Sequence, residues 1–397
     1  MNRNYQVIHL STSHKGGAGI AARRLNSELN RKGVKSTFYA IERSDFIKES
    51  HEVSIKRSFM KRIFSYLSMF IGRKTLNIAF FSVFSSPGVT HSWIQRIIEA
   101  ENTIIHIHNW FNLLSFSQLQ KLLASGVPVV VTMHDQRLMT GGCHVTLDCD
   151  QFKYGCHSCP RITNILRSSI RRNSKTFRKF FSEIYPNLQL VAPSRFMIGE
   201  SAKSQILEKQ EVLFVSNPIP QEFFMGTKAR AHNSENIFRV GVASANPLDP
   251  LKGGDLIEDL SRIIDETIHG IRLVYLADFE MVHQRDFWEQ IDCLIVPSRG
   301  DNSPNVIHEA KGFCIPVIAS NVGGIPELLH YGFDIEMDIN KISKELILES
   351  ILAIKDRNHN SLNVTNMRKA YSGYNSQPLD NLTQIYDRLF DVTQKKI

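Results

Sequence analysis

Two acidic residues and a polar turn are the most chemically specific features of the second half of this chain. Asp301 and Glu309 have seven residues between them, and Asn302 and Ser303 directly follow the first acid. The pattern predicts a loop that leads into a helix, with the second carboxylate about two helical turns beyond the first. Carboxylates accept hydrogen bonds from the vicinal hydroxyls of a sugar or a ribose. The alternative is an acidic loop followed by a solvated glutamate.

A glycine-rich segment near the N-terminus could bind phosphate. Gly16 and Gly17 follow the predicted first strand, Tyr5–Leu10, and precede a predicted helix over Ala21–Lys32. Glycines at such a position let backbone N–H groups approach a diphosphate, and the helix dipole favours negative charge there. A tight turn without a ligand is the alternative.

Histidines follow two neighbouring predicted strands. His106 and His108 end one apolar run, and His134 follows the next, Val127–Met133. The carboxyl ends of parallel strands are where open α/β sheets bind ligands, and a histidine there can contact a phosphate or a sugar hydroxyl. The alternative is a histidine that only satisfies its own hydrogen bonds at a strand end.

Four cysteines lie within one short segment. Cys143, Cys149, Cys156 and Cys159 include a Cys-x-x-Cys pair, which is typical of tetrahedral zinc sites. We expect either a structural zinc ion that holds a long loop beside His134, or free thiols in a redox-sensitive loop.

Charge and length narrow the class of protein. The chain has 397 residues, with 47 basic and 39 acidic side chains for a net charge of +8. We expect two domains, no secretory signal and a cytoplasmic location. The segment 56–74 has apolar residues at helical spacing between basic ends, which favours either peripheral contact with an anionic inner membrane face or an ordinary packed helix. No recognised nucleic-acid module is present, so we expect no nucleic-acid partner.

Short apolar runs alternate with amphipathic stretches in both halves, which predicts two α/β domains with parallel sheets. Asn217–Pro220 is a predicted hinge, and Gln377–Phe390 has helical spacing. The remaining predicted strands are Lys35–Ala40, Ile104–His108, Leu188–Ala192, Phe238–Ala243, Ile271–Ala277, Cys293–Pro297 and Val317–Ala319.

The run Val296–Ala310, with Pro316–Ser320 and Gly323–Glu327 after it, resembles the signature of retaining family-4 glycosyltransferases of the GT-B fold. The resemblance is strongest to those that build bacterial surface polysaccharides. It implies two Rossmann-like domains that face each other across a cleft, here with a shortened C-terminal domain. The implied boundaries are 1–217 for the acceptor-side domain, 218–372 for the nucleotide-sugar domain and 373–397 for a helix that returns to the first domain.

The same resemblance implies roles for individual residues. The backbone at Gly16 and Gly17 and the amine of Lys252 would bind the donor diphosphate, and His134 would face the donor sugar. Asp301, with Asn302 and Ser303 after it, would hold the sugar. Glu309 would accept hydrogen bonds from the nucleoside ribose.

We therefore expect an enzyme that transfers a hexose-like sugar from a nucleotide diphosphate sugar to a glycan acceptor and retains the configuration of the sugar. We expect the acceptor to be lipid-linked. Catalysis would need no metal, because a lysine, backbone amides and helix dipoles supply the positive charge. The short second domain, and the lack of the family's arginine between Gly241 and Asn246, motivate an alternative. That alternative is a catalytically impaired nucleotide-sugar-binding or scaffold protein of a polysaccharide assembly system.

Overall fold

The computed structural model describes residues 3–41, 50–55, 88–161, 164–219, 221–224, 237–244, 246–267, 270–279, 284–359, 364–372 and 377–394. The chain divides into two compact units. The first contains residues 1–217 and 378–397, and the second contains residues 218–377. The change of unit after Asn217 falls within the segment that sequence predicts as a hinge.

The first unit contains a parallel sheet of seven strands in the order β3-β2-β1-β4-β5-β6-β7. Because the strand order reverses between β1 and β4, their carboxyl ends form a topological switch point of the kind where α/β sheets bind ligands. The strands are β1 (Gln6–Ser11), β2 (Ser36–Ile41), β3 (Glu52–Ile55), β4 (Thr103–Asn109), β5 (Val129–Thr132), β6 (Leu188–Ala192) and β7 (Val212–Phe214).

Helices cover both faces of this sheet, so the central strands have apolar side chains on both faces. Val7 and Ile104 pack on one face, whereas the next residues, Ile8 and Ile105, pack on the other. The helices are α1 (Gly16–Arg31), α2 (His91–Ile98), α3 (Phe116–Ala124), α4 (Asn164–Phe181) and α5 (Arg195–Lys203).

The last helix of the chain, α12 (Gln377–Gln394), packs on the first unit. Leu382 and Tyr386 are buried against the same sheet face as Val7. The carboxylate of Asp387 accepts hydrogen bonds from Arg3 Nε at 2.9 Å and from Tyr5 Oη at 2.6 Å. These contacts attach the end of the chain to its first strand.

The second unit contains a narrower parallel sheet of five strands in the order β12-β11-β10-β8-β9. Within the described residues, one strand, β9, lies between Lys252 and β10, in agreement with the predicted short second domain. The strands are β8 (Phe238–Val242), β9 (Ile271–Tyr275), β10 (Cys293–Val296), β11 (Val317–Ser320) and β12 (Ile335–Met337).

Two helical layers sandwich the second sheet. Ile257 and Ile351 pack on one face, and Trp288 and Ile307 pack on the other. The helices are α6 (Gln221–Phe224), α7 (Gly254–Thr267), α8 (Gln284–Gln290), α9 (Asn305–Gly312), α10 (Lys344–His359) and α11 (Val364–Ser372).

The described helices include none that combines the length and apolar character needed to cross a bilayer. The basic segment 56–74, with its predicted membrane contact, lies outside the described residues.

Candidate functional site

Lys252 lies at the end of the loop that follows β8. Pro250–Lys252 form one turn of 3-10 helix, capped by Asp249, whose carboxylate accepts a hydrogen bond from the backbone N–H of Leu251 at 2.9 Å. Gly253 ends the turn with φ +78°, and a β-carbon there would lie 2.3 Å from the carbonyl oxygen of Pro297. The Lys252 turn is therefore packed directly against the end of β10.

Lys252 and Asp301 form an ion pair, with Nζ donating to Oδ2. Because β8 and β10 are adjacent in the sheet, the loops that follow them reach the same edge. Burial lowers the pKa of Lys252, but the carboxylates of Asp301 and Asp249 outweigh this effect and raise it overall. The lysine therefore carries its positive charge at neutral pH.

The loop that presents Asp301 is held against the turn after β11. Gly324 donates its backbone N–H to the carbonyl oxygen of Asp301 at 3.0 Å. Gly323 has φ +59°, and a β-carbon there would lie 1.8 Å from that same oxygen. Both the backbone angle and the close approach require glycine at position 323.

The polar turn and the second acid lie where the sequence pattern predicts. Asn302, Ser303 and Glu309 are buried, and the glutamate belongs to α9, which begins at Asn305. The backbone N–H of Ser303 donates to Oδ1 of Asp301 at 3.2 Å, and the Ser303 hydroxyl is 2.9 Å from Nε2 of His308. The second unit thus brings together Lys252, Asp301 and the N-terminal turn of α9.

In the first unit, Gly16 and Gly17 belong to α1, which begins at Gly16. The sequence pattern predicts a helix from Ala21, five residues later, because the glycines are typical of a loop. The positive end of the α1 dipole lies at these two residues and favours an anion there. The first-turn position of both glycines is compatible with their predicted role.

His134 follows β5 and is half-buried. Its Nε2 is 3.1 Å from Nδ1 of His108, and Nε2 of His108 is 2.9 Å from Nδ1 of His9. Burial lowers the pKa of His134 to about 4 and that of His9 to about 3, so both rings are neutral at pH 7. A neutral His134 ring can form hydrogen bonds but carries no positive charge.

A partly buried ion pair, Arg137 with Asp135, directly follows His134 in the chain. Arg137 donates to both oxygens of Asp135 and, through Nη2, to Oδ1 of Asn109 at 3.0 Å. Burial raises the pKa of Asp135, but Arg137 and His144 outweigh it and lower the pKa to about 2. This pair holds the loop after β5 in place.

The four cysteines lie in the loop that follows, and Cys143, Cys156 and Cys159 are buried. Sγ of Cys156 accepts a hydrogen bond from the backbone N–H of Gly141 at 3.3 Å. Burial raises the pKa of Cys143, and the three other thiols raise it further. Within the described chain, however, the cysteines do not form a group of three with sulfurs inside 4.8 Å.

Three polar residues, two in the first unit and one in the second, were given no role from the sequence. His9 sits inside an apolar strand, Arg137 belongs to no motif, and Arg299 lies in the run Val296–Ala310 without an assigned role. The guanidinium of Arg299 donates to both carboxylate oxygens of Asp255 at 2.6 Å, which links the Asp301 loop to the start of α7. His9 pairs with His106 across β1 and β4, and only the order of the strands in the sheet reveals that the two histidines are neighbours.

Comparison with known proteins identifies the second unit. Residues 253–347 match the family model described as "Glycosyl transferases group 1". The chain carries a glycosyl transferases group 1 domain. The match begins one residue after Lys252 and contains Asp301, Glu309 and Gly323. The loops of the second unit that carry these residues therefore lie within or beside the group 1 domain.

Similarity extends beyond the group 1 domain. The chain is 24% identical over 348 residues to a putative colanic acid biosynthesis glycosyl transferase, WcaC, of Escherichia coli (strain K12), covering 79% of this chain and 84% of that one. Sucrose-phosphate synthase from Thermosynechococcus elongatus has a similar structure, with TM-score 0.65 and 14% identity over 98% of this chain and 100% of that one. Anabaena Alr3699/HepE in complex with UDP-glucose gives TM-score 0.55 and 13% identity, over 97% and 99% of the two chains.

The structural neighbours confirm the α/β GT-B fold that the sequence resemblance implies. The domain match and the colanic acid relative support a glycosyltransferase of polysaccharide biosynthesis.

Proposed function

We propose that this protein is a retaining glycosyltransferase that moves a hexose-like sugar from a nucleotide diphosphate sugar to a glycan acceptor. The observation that carries the proposal is the ion pair of Lys252 with Asp301, at the edge where the loops after β8 and β10 meet. A cation beside an acid suits a ligand that has a negative diphosphate next to a sugar rich in hydroxyls.

The amine of Lys252 would bind the donor diphosphate. A diphosphate is also the ligand that we propose for the start of α1, at Gly16 and Gly17. A diphosphate competes with Asp301 for this amine, so donor binding would release the Asp301 carboxylate to accept hydrogen bonds from the sugar. Asn302 and Ser303 would contact the sugar from the same turn, and their burial supports a fixed geometry.

Glu309 would accept hydrogen bonds from the two ribose hydroxyls. It is buried on the second turn of α9, a helix without an acidic residue in its first turn. The positive end of that helix would favour the negative diphosphate, because no residue of its first turn is acidic.

His134 would contact the donor sugar near its reacting carbon. In the reaction, the bond from that carbon to the diphosphate oxygen breaks, and a bond to the acceptor hydroxyl oxygen forms on the same face. The acceptor proton passes to the departing phosphate oxygen, and Lys252 stabilises the negative charge that develops there. Lysine and backbone amides supply this stabilisation, so we propose that transfer needs no metal.

A UDP-sugar is the first donor to test, because a structural neighbour was solved with UDP-glucose. Purified protein is mixed with a panel of nucleotide sugars, and the rise in Tm is measured, since a ligand that binds the folded state stabilises it. The best donor is then assayed for transfer to glycan acceptors, and the product configuration is read by NMR. An inverted configuration would contradict the retaining mechanism.

The substitution Glu309→Ala tests whether Glu309 belongs to a donor-binding site or to a region without a role in donor binding. We expect lost transfer and a lost thermal shift with donor, because the ribose contacts are removed while the fold is kept. Unchanged donor binding would remove Glu309 from the site. A wild-type protein that binds a nucleotide sugar tightly but transfers it to no acceptor would support the alternative, a binding or scaffold protein.

The acceptor is proposed to be lipid-linked, which would bring the protein to the inner face of the membrane through segment 56–74. Basic residues begin this segment, among them Lys56, Arg57, Lys61 and Arg62. We expect the protein to float with vesicles that contain anionic lipid and not with neutral vesicles. Replacing these four residues by glutamine should abolish flotation, and continued flotation would exclude this segment as the contact.

We also propose that Cys143, Cys149, Cys156 and Cys159 hold a structural zinc ion. Four thiols in one loop, three of them buried, match the donor set of a closed zinc site. Binding would draw the sulfurs together to the roughly 3.8 Å separation of tetrahedral zinc ligands.

A further inference from the structure

Three imidazole rings form a hydrogen-bonded chain on one face of the first sheet. His9 on β1 contacts His108 on β4 over 2.9 Å, and His108 contacts His134 after β5 over 3.1 Å. His9 and His108 are buried, whereas His134 is half-buried. The chain therefore runs from the core of the unit to the end of the sheet.

We propose that His108 is a positioning residue: backed by His9, it fixes the ring orientation and the neutral tautomer of His134. The catalytic part of this inference rests on the proposed contact of His134 with the donor sugar. The structural part, a single tautomer set by the chain, does not depend on that function.

The hydrogen bonds that join the three imidazole rings have a preferred direction. A neutral imidazole has one donor and one acceptor nitrogen, so every proton in the chain must point the same way. Nε2 of His9 is buried and has no hydrogen-bond partner among the residues that the structure describes. A buried N–H donor without a partner is rarer in proteins than a buried acceptor without one, so we take Nε2 of His9 to be the unprotonated nitrogen.

From this starting point the tautomers follow in order. Nδ1–H of His9 donates to Nε2 of His108, and Nδ1–H of His108 donates to Nε2 of His134. His134 must then carry its own proton on Nδ1, because the hydrogen bond at one ring nitrogen decides the state of the other. A neutral N–H donor suits the oxygens of a sugar. Without His108, the two tautomers of His134 would compete.

A metal ion is the rival explanation for this cluster. The ligand nitrogens of His9, His106 and His108 lie within 4.8 Å of one another. However, His106 already bonds through Nδ1 to the Tyr386 hydroxyl at 2.6 Å and through Nε2 to the Thr132 hydroxyl at 2.7 Å. Both nitrogens of His108 are bonded as well, so a metal would have to break several of these bonds.

The first test reads the tautomer directly. The full-length protein is labelled with nitrogen-15 histidine, and the His134 signals are assigned by their loss in His134→Asn. We expect one neutral form with the proton on Nδ1. A proton on Nε2 would overturn the inference, and so would a stoichiometric metal in the purified protein that His9→Asn removes.

Two substitutions of the middle ring separate its two contacts. Asparagine places an amide near the position of Nδ1, whereas glutamine places one near Nε2. We expect His108→Asn to keep a partner for His134 and its single tautomer, while His108→Gln gives a mixture. Equal spectra for the two variants would overturn the inference. If neither variant folds, His9→Asn and His9→Leu are compared, and the same tautomer signal decides.

Transfer activity is the second readout. We expect kcat to fall about tenfold or more in His108→Gln and to recover in His108→Asn, as is usual when the partner of a site residue is removed. His106→Asn is the matched control: it is equally buried on the same strand, but its bonds go to Tyr386 and Thr132. It should lower Tm and leave the His134 tautomer unchanged. A wild-type protein without transfer would refute the proposed function, while the NMR result would still decide the tautomer.

Discussion

The amine of Lys252 pairs with the carboxylate of Asp301, a residue 49 positions further along the chain. The pair forms because β8 and β10 are neighbours, so the loops that follow them end at the same place. Asp249, at the start of the lysine turn, adds a second negative charge nearby and further raises the pKa of Lys252. An anionic ligand would therefore meet a lysine that is charged and already held at the sheet edge.

Replacing Lys252 by alanine should lower kcat by about 100-fold or more, because a positive charge aimed at the departing diphosphate is lost. Transfer is measured with the donor that gives the largest thermal shift. Lys341→Ala is the control: this side chain is 80% exposed in the same unit and should leave transfer unchanged. Comparable activity in Lys252→Ala and wild type would rule out the proposed role.

Substitution of Gly323 tests whether the Asp301 loop must be held by the turn after β11. In Gly323→Ala the new β-carbon would lie 1.8 Å from the carbonyl oxygen of Asp301, at a backbone angle that costs about 1 kcal/mol by itself. We expect a lower Tm and weaker donor binding. Gly199→Ala, where a β-carbon meets no atom within 4 Å, should affect neither. Normal donor binding in Gly323→Ala would show that donor binding does not require this turn to hold the Asp301 loop.

The central strands of both sheets could be predicted because they are buried on two faces and read as continuous apolar runs. The short strands β3, β7 and β12 were missed, and all three lie at sheet edges, where a strand pairs on one side only. Their sequences are three or four residues long and partly exposed, so they give little periodic signal.

Only part of the candidate site could be predicted from the sequence. Asp301 and Glu309 could be singled out because they are close in sequence and share a motif. The pairing of Asp301 with Lys252, and of His108 with His9, depends on which strands are neighbours in the sheet. Strand order is not encoded in any local pattern, so these contacts required the three-dimensional structure.

Buried histidines should make the stability of the protein depend on pH. Burial lowers the pKa of His9, His106, His108, His134 and His144, to about 3 for His9 and about 4 for His134 and His144. In the unfolded chain each would titrate near pH 6.5. Between these values the unfolded state binds more protons, so stability is full above about pH 6.5 and is lost as the pH falls.

We therefore expect a lower free energy of unfolding at pH 5 than at pH 7, measured by denaturant titration. Each such histidine contributes at most about 1.4 kcal/mol per pH unit in this window. His144→Asn should make the slope shallower by up to this amount, because it removes one of the titrating rings. Stability that stays constant or rises toward pH 5 would contradict the burial of these histidines.

The cysteine loop gives the last prediction. We expect protein purified under reducing conditions, without chelator, to contain about one zinc ion per chain, and a chelator to lower its Tm. The variant Cys156→Ser with Cys159→Ser should lose the metal, because two of four ligands are gone. Cys293→Ser is the matched control: this buried cysteine belongs to β10 of the second unit, so zinc content should not change. Metal-free wild-type protein with a Tm indifferent to chelator would mean that the loop is held by packing and by the hydrogen bond from Gly141 to Cys156.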